Sequence, residues 1–164
     1  MRNSTCCFTG HRSLDIPIEI LEVRLKNIIT DLVNKNVIYY GAGGALGFDT
    51  LAALTVIKLR REYPQIKLIL VLPCKDQTSG WESNDIQVYN YILEQADKVV
   101  YTAEAYYPGC MHKRNRHLVD NSAYCICFKN KASGGTAYTV DYAQKSGLRI
   151  HNLATDNFME VHNA

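Results

Sequence analysis

Short apolar runs alternate with helical patterns along the whole chain, and this alternation predicts a sheet of parallel strands. Residues Lys67–Leu72 (KLILVL) form a nearly continuous apolar run that Pro73 ends. Such a run is typical of a parallel strand covered on both faces. Over 18–34, by contrast, apolar residues recur at helical spacing, which indicates an amphipathic helix. Strands that alternate with helices imply right-handed crossovers and helices on both faces of the sheet.

The same patterns place six strands and five helices along the sequence. The predicted strands cover 5–9, 37–40, 67–72, 98–101, 124–128 and 149–153. The predicted helices cover about 18–34, the segment from a glycine-rich turn at 41–47 to about 63, and then 85–95, 111–121 and 136–146. We therefore expect a single α/β domain over 1–164, with a three-layer Rossmann-like architecture. Its sheet should be mostly parallel, with about six strands and helices on both faces.

The composition narrows the class of protein. Of the 164 residues, 47% are hydrophobic and 21% are charged, which fits one globular domain rather than a disordered chain. The formal net charge of +2 is too small to imply, by itself, a nucleic-acid or membrane-surface partner. No apolar run reaches the roughly 18 residues of a membrane span, and the N-terminus lacks a signal-peptide pattern. We therefore expect a cytoplasmic protein.

Six cysteines raise the alternatives of a disulfide framework and a zinc site. Their spacings are Cys6-Cys7, the single residues Cys74 and Cys110, and Cys125-Ile126-Cys127, and none forms a C-x-x-C pair. Tetrahedral metal sites favour such pairs, and a chain without a secretion signal is expected to keep its thiols reduced. We predict no metal and no cofactor, and we expect the four strand cysteines to pack as small buried apolar groups.

The loops after the strands are the candidate site, because ligands of such folds bind beyond the carboxyl ends of the strands, near the point where the strand order reverses. Thr9-Gly10-His11-Arg12 directly follows the first strand. The glycine would let the backbone turn tightly beside a ligand. Arg12 could pair with a phosphate, and His11 could donate a hydrogen bond to one. The alternative is a plain turn with a solvated arginine and histidine.

The glycine-rich segment 41–49 follows the second strand and opens a helix. Backbone amides at such a junction point at an incoming anion, and small residues allow close approach. The segment is neither a G-x-G-x-x-G motif after a first strand nor a P-loop. Asp49 would repel a phosphate, because it already satisfies the helix dipole. It could instead accept hydrogen bonds from ribose hydroxyls or a base, or simply cap the helix.

Two further segments stand at the starts of later helices. Within the basic cluster 111–117, Arg114 and Asn115 share a helical face with apolar residues, which favours a half-buried, directed arginine over a solvated one. Ser133-Gly134-Gly135-Thr136 is a second potential anion site, with Thr136 as a helix cap or a phosphate donor. The alternative for this last segment is an ordinary Gly-Gly turn.

Together these motifs resemble the SLOG superfamily, and most closely its YpsA-like group of small bacterial and phage proteins. The resemblance covers nearly the whole chain and rests on Thr9–Arg12, Gly43–Asp49, Leu72–Cys74 with Gln77 and Trp81, Arg114-Asn115 followed by Val119–Ser122, and Ser133–Thr136. It implies a Rossmann-like fold that binds a nucleotide or a nucleotide-derived ligand. The predicted ligand-binding residues are Thr9, Gly10, His11, Arg12, Gly43, Gly44, Ala45, Gly47, Phe48, Asp49, Pro73, Asn115, Ser133, Gly134, Gly135 and Thr136.

The chain also resembles, more distantly, the LOG family of nucleoside-monophosphate phosphoribohydrolases, once labelled lysine decarboxylases. Met111–Arg114 matches the start of the motif M-H-x-R-K, and Asn115 replaces its lysine. Gly134-Gly135 matches the paired glycines of P-G-G-x-G-T-x-x-E, and Asp141 then falls on the catalytic glutamate. The resemblance implies Arg114 and Asp141 as catalytic candidates for the cleavage of an N-glycosidic bond, although Ser133, Ala137, Tyr138 and Asp141 depart from that motif.

Three functions are open on this basis. The first is a binding or sensing domain for a nucleoside phosphate or an ADP-ribose-type molecule, which requires Arg12, Gly44, Arg114 and Gly135 to converge around one cavity. The second is an N-glycosidic hydrolase, which requires Arg114 and Asp141 to face one pocket. The third, binding of single-stranded nucleic acid by analogy with the DprA branch of the superfamily, is disfavoured by the weak charge and the lack of a basic, aromatic-lined stripe. The resemblance also implies a homo-oligomer, as a dimer or a larger assembly.

Overall fold

The computed structural model describes residues 1–155. A short 3-10 helix, Arg2–Ser4, precedes the strands β1 (Thr5–Gly10), β2 (Tyr39–Ala42), β3 (Lys67–Leu72), β4 (Lys98–Tyr101), β5 (Tyr124–Phe128) and β6 (Arg149–Asn152). The strands alternate with the helices α1 (Ile18–Asn34), α2 (Phe48–Leu59), α3 (Ser83–Gln95), α4 (Cys110–Asp120) and α5 (Gly135–Lys145). Positions 156–164 of the predicted domain lie outside the described residues.

The six strands form one parallel sheet in the order β4-β3-β2-β1-β5-β6. From β1 the chain first adds β2, β3 and β4 on one side, and then crosses back to add β5 and β6 on the other. The strand order therefore reverses between β1 and β5, and the loops that follow these two strands diverge. This arrangement confirms the predicted Rossmann-like α/β fold and places a crevice at the carboxyl edge of the sheet.

The sheet separates two apolar layers, because successive side chains of a strand point to opposite faces. Cys6 and Phe8 of β1 pack with residues of α1, α2 and α3, whereas Cys7 packs with residues of α4 and α5. The nearly continuous apolar run of β3 divides in the same way, with Leu70 in the first layer and Val71 in the second. Both faces of the central strands are thus covered, as their sequence predicts.

The second strand differs from the sequence prediction in its bounds. The apolar pattern predicts a strand over 37–40 and a turn from Gly41 onward, but β2 includes both Gly41 and Ala42. Gly41 pairs with Cys7 on one side and Ile69 on the other. A Cβ on Gly41 would lie 2.9 Å from Cδ2 of Leu118 in α4. A side chain at this position would require Leu118 to shift, because α4 packs directly against the strand here.

Some smaller features complete the fold. Helix α2 ends at Leu59, before the predicted end near Tyr63, and turns at 60–62 follow it.

No helix among residues 1–155 is both long enough and apolar enough to cross a membrane. Over the same range, no group of three or more His, Cys, Asp or Glu side chains is placed to hold a metal ion. All six cysteines are buried and free.

Candidate functional site

A cavity of about 280 Å³ lies at the carboxyl edge of the sheet, and five loop or helix segments contribute to its walls. These are the β1–α1 loop, the start of α2, the loop after β3, helix α4 and the start of α5. The lining residues are Thr9, Gly10, His11, Arg12, Ala45, Asp49, Gln77, Met111, Arg114, Asn115, Gly135 and Thr136. The end of β1 and the start of α5 both contribute, so the cavity adjoins the point where the strand order reverses.

Most of the sequence-predicted site residues meet in this cavity. Of the four whose convergence the nucleotide hypothesis requires, Arg12, Arg114 and Gly135 line it, and Gly44 is the immediate neighbour of the lining residue Ala45. By contrast, a cavity of about 240 Å³ that Met1, Val100 and Leu118 help to line contains none of the predicted site residues. The carboxyl edge is thus the place where the chemically distinctive side chains come together.

Arg114 of α4 is buried beneath the cavity, with 4% of its surface exposed. Its Nη1 donates to the carbonyl oxygen of Gly43, and its Nε donates to Oδ1 of Asn115 at 2.7 Å. Its Nη2 approaches only the sulfur of Met111, at 3.9 Å, and sulfur is a weak acceptor. The guanidinium is therefore fixed from one side and retains donor capacity at Nη2.

Asp49 stands in the first turn of α2 and is also buried, with 6% exposed. Its Oδ2 accepts a hydrogen bond from the backbone N–H of Ala45 at 3.3 Å. Its Oδ1 is buried and accepts no hydrogen bond from the described residues. The carboxylate thus caps the turn before α2 with one oxygen and leaves the other unpaired beside the cavity.

Burial dominates the acid–base chemistry of Asp49. It raises the pKa of this carboxyl from 3.8 to about 6, although the positive charges of Arg114 and Arg12 and the N–H groups of Ala45 and Gly43 act in the opposite direction. Burial likewise lowers the pKa of Arg114, and the charge of Asp49 opposes that shift. At neutral pH the site therefore holds an ionised carboxylate and a guanidinium. These two side chains do not form a direct salt bridge with each other.

The glycines before α2 serve internal packing. A Cβ on Gly43 would lie 2.6 Å from Nη1 of Arg114, and one on Gly44 would lie 2.6 Å from Cδ2 of Leu72. Gly47 has a φ of +81°, and a Cβ on this residue would lie 2.2 Å from the carbonyl oxygen of Arg12. Glycine is thus needed here so that neighbouring parts of the protein can approach. The glycines of this segment therefore have a packing role that does not depend on a bound anion.

The glycines at the start of α5 are different, because a Cβ on Gly134 or Gly135 would meet no atom within 4 Å. Gly134 has a φ of +100°, in the left-handed region, and precedes a helix that begins without a side-chain cap. The first amides of a helix carry partial positive charge and are open donors when nothing caps them. Gly135 and Thr136 line the cavity at this position. This helix start is therefore accessible to an anion.

His11 is held in one tautomer by the loop that follows β5. Its Nε2 accepts a hydrogen bond from the backbone N–H of Asn130 at 3.2 Å. Burial lowers the pKa of His11, and the nearby charge of Lys131 lowers it further, while Asp15 acts in the opposite direction. The imidazole is therefore neutral at pH 7, with its proton on Nδ1, and it can donate one hydrogen bond.

Asp141, a predicted catalytic residue, does not reach the cavity. Helix α5 buries Thr136, Thr139 and Val140, and Asp141 follows on its solvent side because each residue turns the helix by about 100°. The side chain of Asp141 is 60% exposed and forms a salt bridge with Lys145 at 2.9 Å. The structure therefore does not bring Arg114 and Asp141 to one pocket, and the carboxylate beside Arg114 is Asp49.

Some of the remaining predicted residues also lie off the cavity wall. Phe48 is fully buried in the core, Pro73 is buried after β3, and Ser133 and Gly134 are exposed beside the start of α5. Conversely, Gln77 and Met111 line the cavity but were absent from the predicted site set. Gln77 is buried and donates to the carbonyl oxygen of Gly43 at 3.4 Å. The sequence did offer one signal for Gln77, because this residue belongs to the motif that resembles the SLOG superfamily.

Comparison with known proteins places the chain in a family. The family model YpsA, described as the YspA SLOG family, matches residues 6–157. The SPbeta prophage-derived protein YoqJ of Bacillus subtilis strain 168 is 29% identical over 141 residues, which cover 78% of this chain and 82% of YoqJ. A UPF0398 protein of Bacillus thuringiensis strain Al Hakam is 28% identical over 133 residues, which cover 79% of this chain and 72% of that relative.

Solved structures share the fold at low sequence identity. DNA processing protein A (DprA) from Streptococcus pneumoniae has a TM-score of 0.68 at 17% identity, and the match covers 97% of this chain and 56% of DprA. DprA from Helicobacter pylori has a TM-score of 0.64 at 20% identity, with 89% and 63% covered. The protein TM1055 has a TM-score of 0.60 at 15% identity, with 98% and 81% covered. Because the family model spans nearly the whole sequence and these folds agree with it, the chain belongs to the YpsA family of the SLOG superfamily.

Proposed function

We propose that the protein binds a nucleotide-derived ligand, either a nucleoside phosphate or an ADP-ribose-type molecule, at the carboxyl edge of its sheet, as a sensor or binding domain. One observation carries this proposal: an open helix start, two arginines and a buried carboxylate line a single cavity. The cavity volume of about 280 Å³ is just below the range of about 300–1,000 Å³ that is usual for small-molecule sites. It fits the phosphate and sugar of a nucleotide better than an entire dinucleotide, whose remainder would extend into solvent.

The phosphate position is best supported at the start of α5. There the backbone around Gly135 is open, and the helix dipole favours an anion. Arg12 is exposed, lines the same cavity and can pair with a phosphate bidentately. His11 can add a hydrogen bond from Nδ1. The start of α2 is a poorer phosphate position, because Asp49 already places a negative charge there.

Binding can be tested by thermal unfolding and calorimetry with inorganic phosphate, AMP, GMP and ADP-ribose at low salt. A ligand at a hundred times its Kd stabilises the folded state by about 2.7 kcal/mol. For a chain of this size, that corresponds to a rise in Tm of roughly 5–10 °C. If no member of the panel raises Tm or releases heat, the proposed function is wrong.

Arg12→Ala is the matching variant, because the side chain is exposed and its loss should leave stability unchanged within about 0.5 kcal/mol. We expect it to weaken binding of the phosphate-bearing ligand by about tenfold or more, since a charge-assisted hydrogen bond is lost. Arg61→Ala removes another exposed arginine, which does not line the cavity, and serves as the control. Equal losses in the two variants would show that binding is non-specific charge attraction.

The same samples test whether the ligand is hydrolysed. Release of free base from AMP would favour N-glycosidic cleavage, and its dependence on Asp49 or on Asp141 would identify the carboxylate involved. The hydrolase hypothesis built on Arg114 and Asp141 receives no support from the geometry, because Asp141 faces solvent. We therefore place binding without turnover ahead of it.

Single-stranded DNA is a second candidate ligand, favoured by one observation. This chain resembles DprA from Helicobacter pylori, whose structure was reported in a study of how that protein binds single-stranded DNA. The match covers 63% of that DprA. The likeness therefore concerns the shared fold and not the whole of DprA. Fluorescence anisotropy with labelled oligothymidine at several salt concentrations tests the idea. Affinity that falls steeply with salt, as phosphate contacts require, would favour it.

A further inference from the structure

The unpaired oxygen of Asp49 restricts which ligand group can lie against it. Asp49 Oδ1 is buried, yet it accepts no hydrogen bond from the described residues. Buried polar atoms nearly always have a partner, and an unpaired one costs free energy. At neutral pH an ionised carboxylate only accepts hydrogen bonds. The group that completes Asp49 must therefore be a donor, which excludes a phosphate oxygen from this position.

Arg114 adds the opposite requirement on the same side of the cavity. Two of its nitrogens are occupied by Gly43 and Asn115, while Nη2 is engaged only by the sulfur of Met111. A guanidinium only donates hydrogen bonds, so the group that completes Nη2 must be an acceptor. Asp49 and Arg114 interact electrostatically without a direct salt bridge, and both line the cavity, so an acceptor and a donor lie in the same cavity wall.

A hydroxyl is the ligand group that satisfies both requirements, because it donates one hydrogen bond and accepts others. An exocyclic amino group of a base donates to a carboxylate but is a poor acceptor for a guanidinium. A phosphate accepts from the guanidinium but is repelled by the carboxylate. In a nucleotide, the sugar hydroxyls also lie next to the phosphate, which fits a phosphate at the start of α5 in the same cavity.

We propose that a sugar hydroxyl of the ligand bridges Asp49 Oδ1 and Arg114 Nη2, so that the site selects ribose over deoxyribose. This inference rests on the proposed function, since it assumes that a phosphorylated sugar occupies the cavity. Sites that hydrogen-bond a hydroxyl through buried groups reject analogues that lack it, because those groups are left unpaired. The discrimination then extends to any ligand that presents a phosphorylated ribose.

The test compares ligands that differ only in hydroxyl groups. Calorimetric affinities are measured for ribose 5-phosphate against 2-deoxyribose 5-phosphate, and for AMP against its 2′-deoxy and 3′-deoxy analogues. We expect the loss of the bridging hydroxyl to weaken binding by about tenfold to a hundredfold, as for a hydrogen bond to a charged group. Both sets of ligands are needed, because the sugar phosphates carry no base and so report the effect of the hydroxyl groups without any contribution from a base.

Asp49→Asn tests the residue itself, and Asp141→Asn is its matched control because that carboxylate lies outside the cavity. In Asp49→Asn we expect the ratio of ribose to deoxyribose affinity to fall to about one, with the wild-type ratio kept in Asp141→Asn. If ribose and deoxyribose ligands bind the wild type equally, the hydroxyl bridge is wrong while the proposed function stands. If none of these five phosphorylated ligands binds, and GMP and ADP-ribose do not bind either, the proposed function itself fails.

Discussion

The packing of Gly10 against Phe48 gives a quantitative test of the β1–α1 turn. A Cβ on Gly10 would lie 2.4–2.5 Å from Cβ, Cγ and Cδ2 of Phe48. Carbon atoms that are not bonded to each other normally approach to about 3.5–4.0 Å. Gly10 is the last residue of β1 and does not have a positive φ, so its backbone accepts alanine. The substitution Gly10→Ala therefore isolates a side-chain clash.

The clash cannot be relieved cheaply, because Phe48 is fully buried at the start of α2. Its ring also packs against Phe8 and Phe128, with centroids 6.4 Å and 6.2 Å away. Relieving the clash would require the Phe48 ring to move by about 1 Å against these two neighbouring rings. Overpacking of this kind costs about 1–3 kcal/mol. For a chain of this length, we expect Tm to fall by roughly 2–12 °C.

Urea denaturation followed by circular dichroism measures this loss, and Gly135→Ala provides the control. A Cβ on Gly135 would meet nothing within 4 Å, and alanine is the better helix former, so that variant should be as stable as wild type or more stable. Replacing Phe48 with leucine in the Gly10→Ala background should restore part of the loss, since the two sites are in contact. A Gly10→Ala protein as stable as Gly135→Ala would refute the clash.

Three further outcomes are expected. Burial raises the pKa of Asp49 from 3.8 to about 6, so the folded chain binds more protons than the unfolded chain in that window and stability falls as the pH rises from about 4 to 6. In urea titrations across pH, Asp49→Asn should flatten this part of the profile. Asp141→Ala should change neither ligand affinity nor, beyond about 0.5 kcal/mol, the free energy of unfolding, because its salt bridge with Lys145 is exposed. All six buried thiols should react with a disulfide reagent only after denaturation.

The fold could be predicted from the sequence because its strongest signals are local. The apolar run of β3 and the helical spacing in α1 depend only on neighbours in the chain, and both elements have the predicted bounds. The bounds of β2 could not be predicted, since Gly41 resembles a turn residue. The close packing of Leu118, which lies 77 positions further along the chain, favours glycine inside that strand.

The site was predictable in position and less so in detail. Parallel topology alone places the loops after the strands at one edge, and Arg114, as a directed arginine, was found from its helical face. The function of a glycine, by contrast, depends on what a Cβ would meet. Gly43 faces Arg114, whereas Gly135 faces open space, and no local pattern distinguishes the two. Asp141 lies away from the cavity because of its angular position around α5. Aligning the sequence with a motif that it matches only in part does not determine that position.

Capping alone does not account for a carboxylate at position 49. A serine, threonine or asparagine can also accept a hydrogen bond from an amide before a helix, and such a cap is worth about 1 kcal/mol. Raising the pKa of Asp49 from 3.8 to about 6 means that holding this residue ionised costs roughly 3 kcal/mol at neutral pH. This raised pKa already includes the opposing effects of the backbone N–H groups and of the two arginines, so these contacts do not offset the burial of the charge. A charged oxygen left unpaired beside Arg114 is better explained by a ligand donor that completes it, and a sugar hydroxyl satisfies both residues at once.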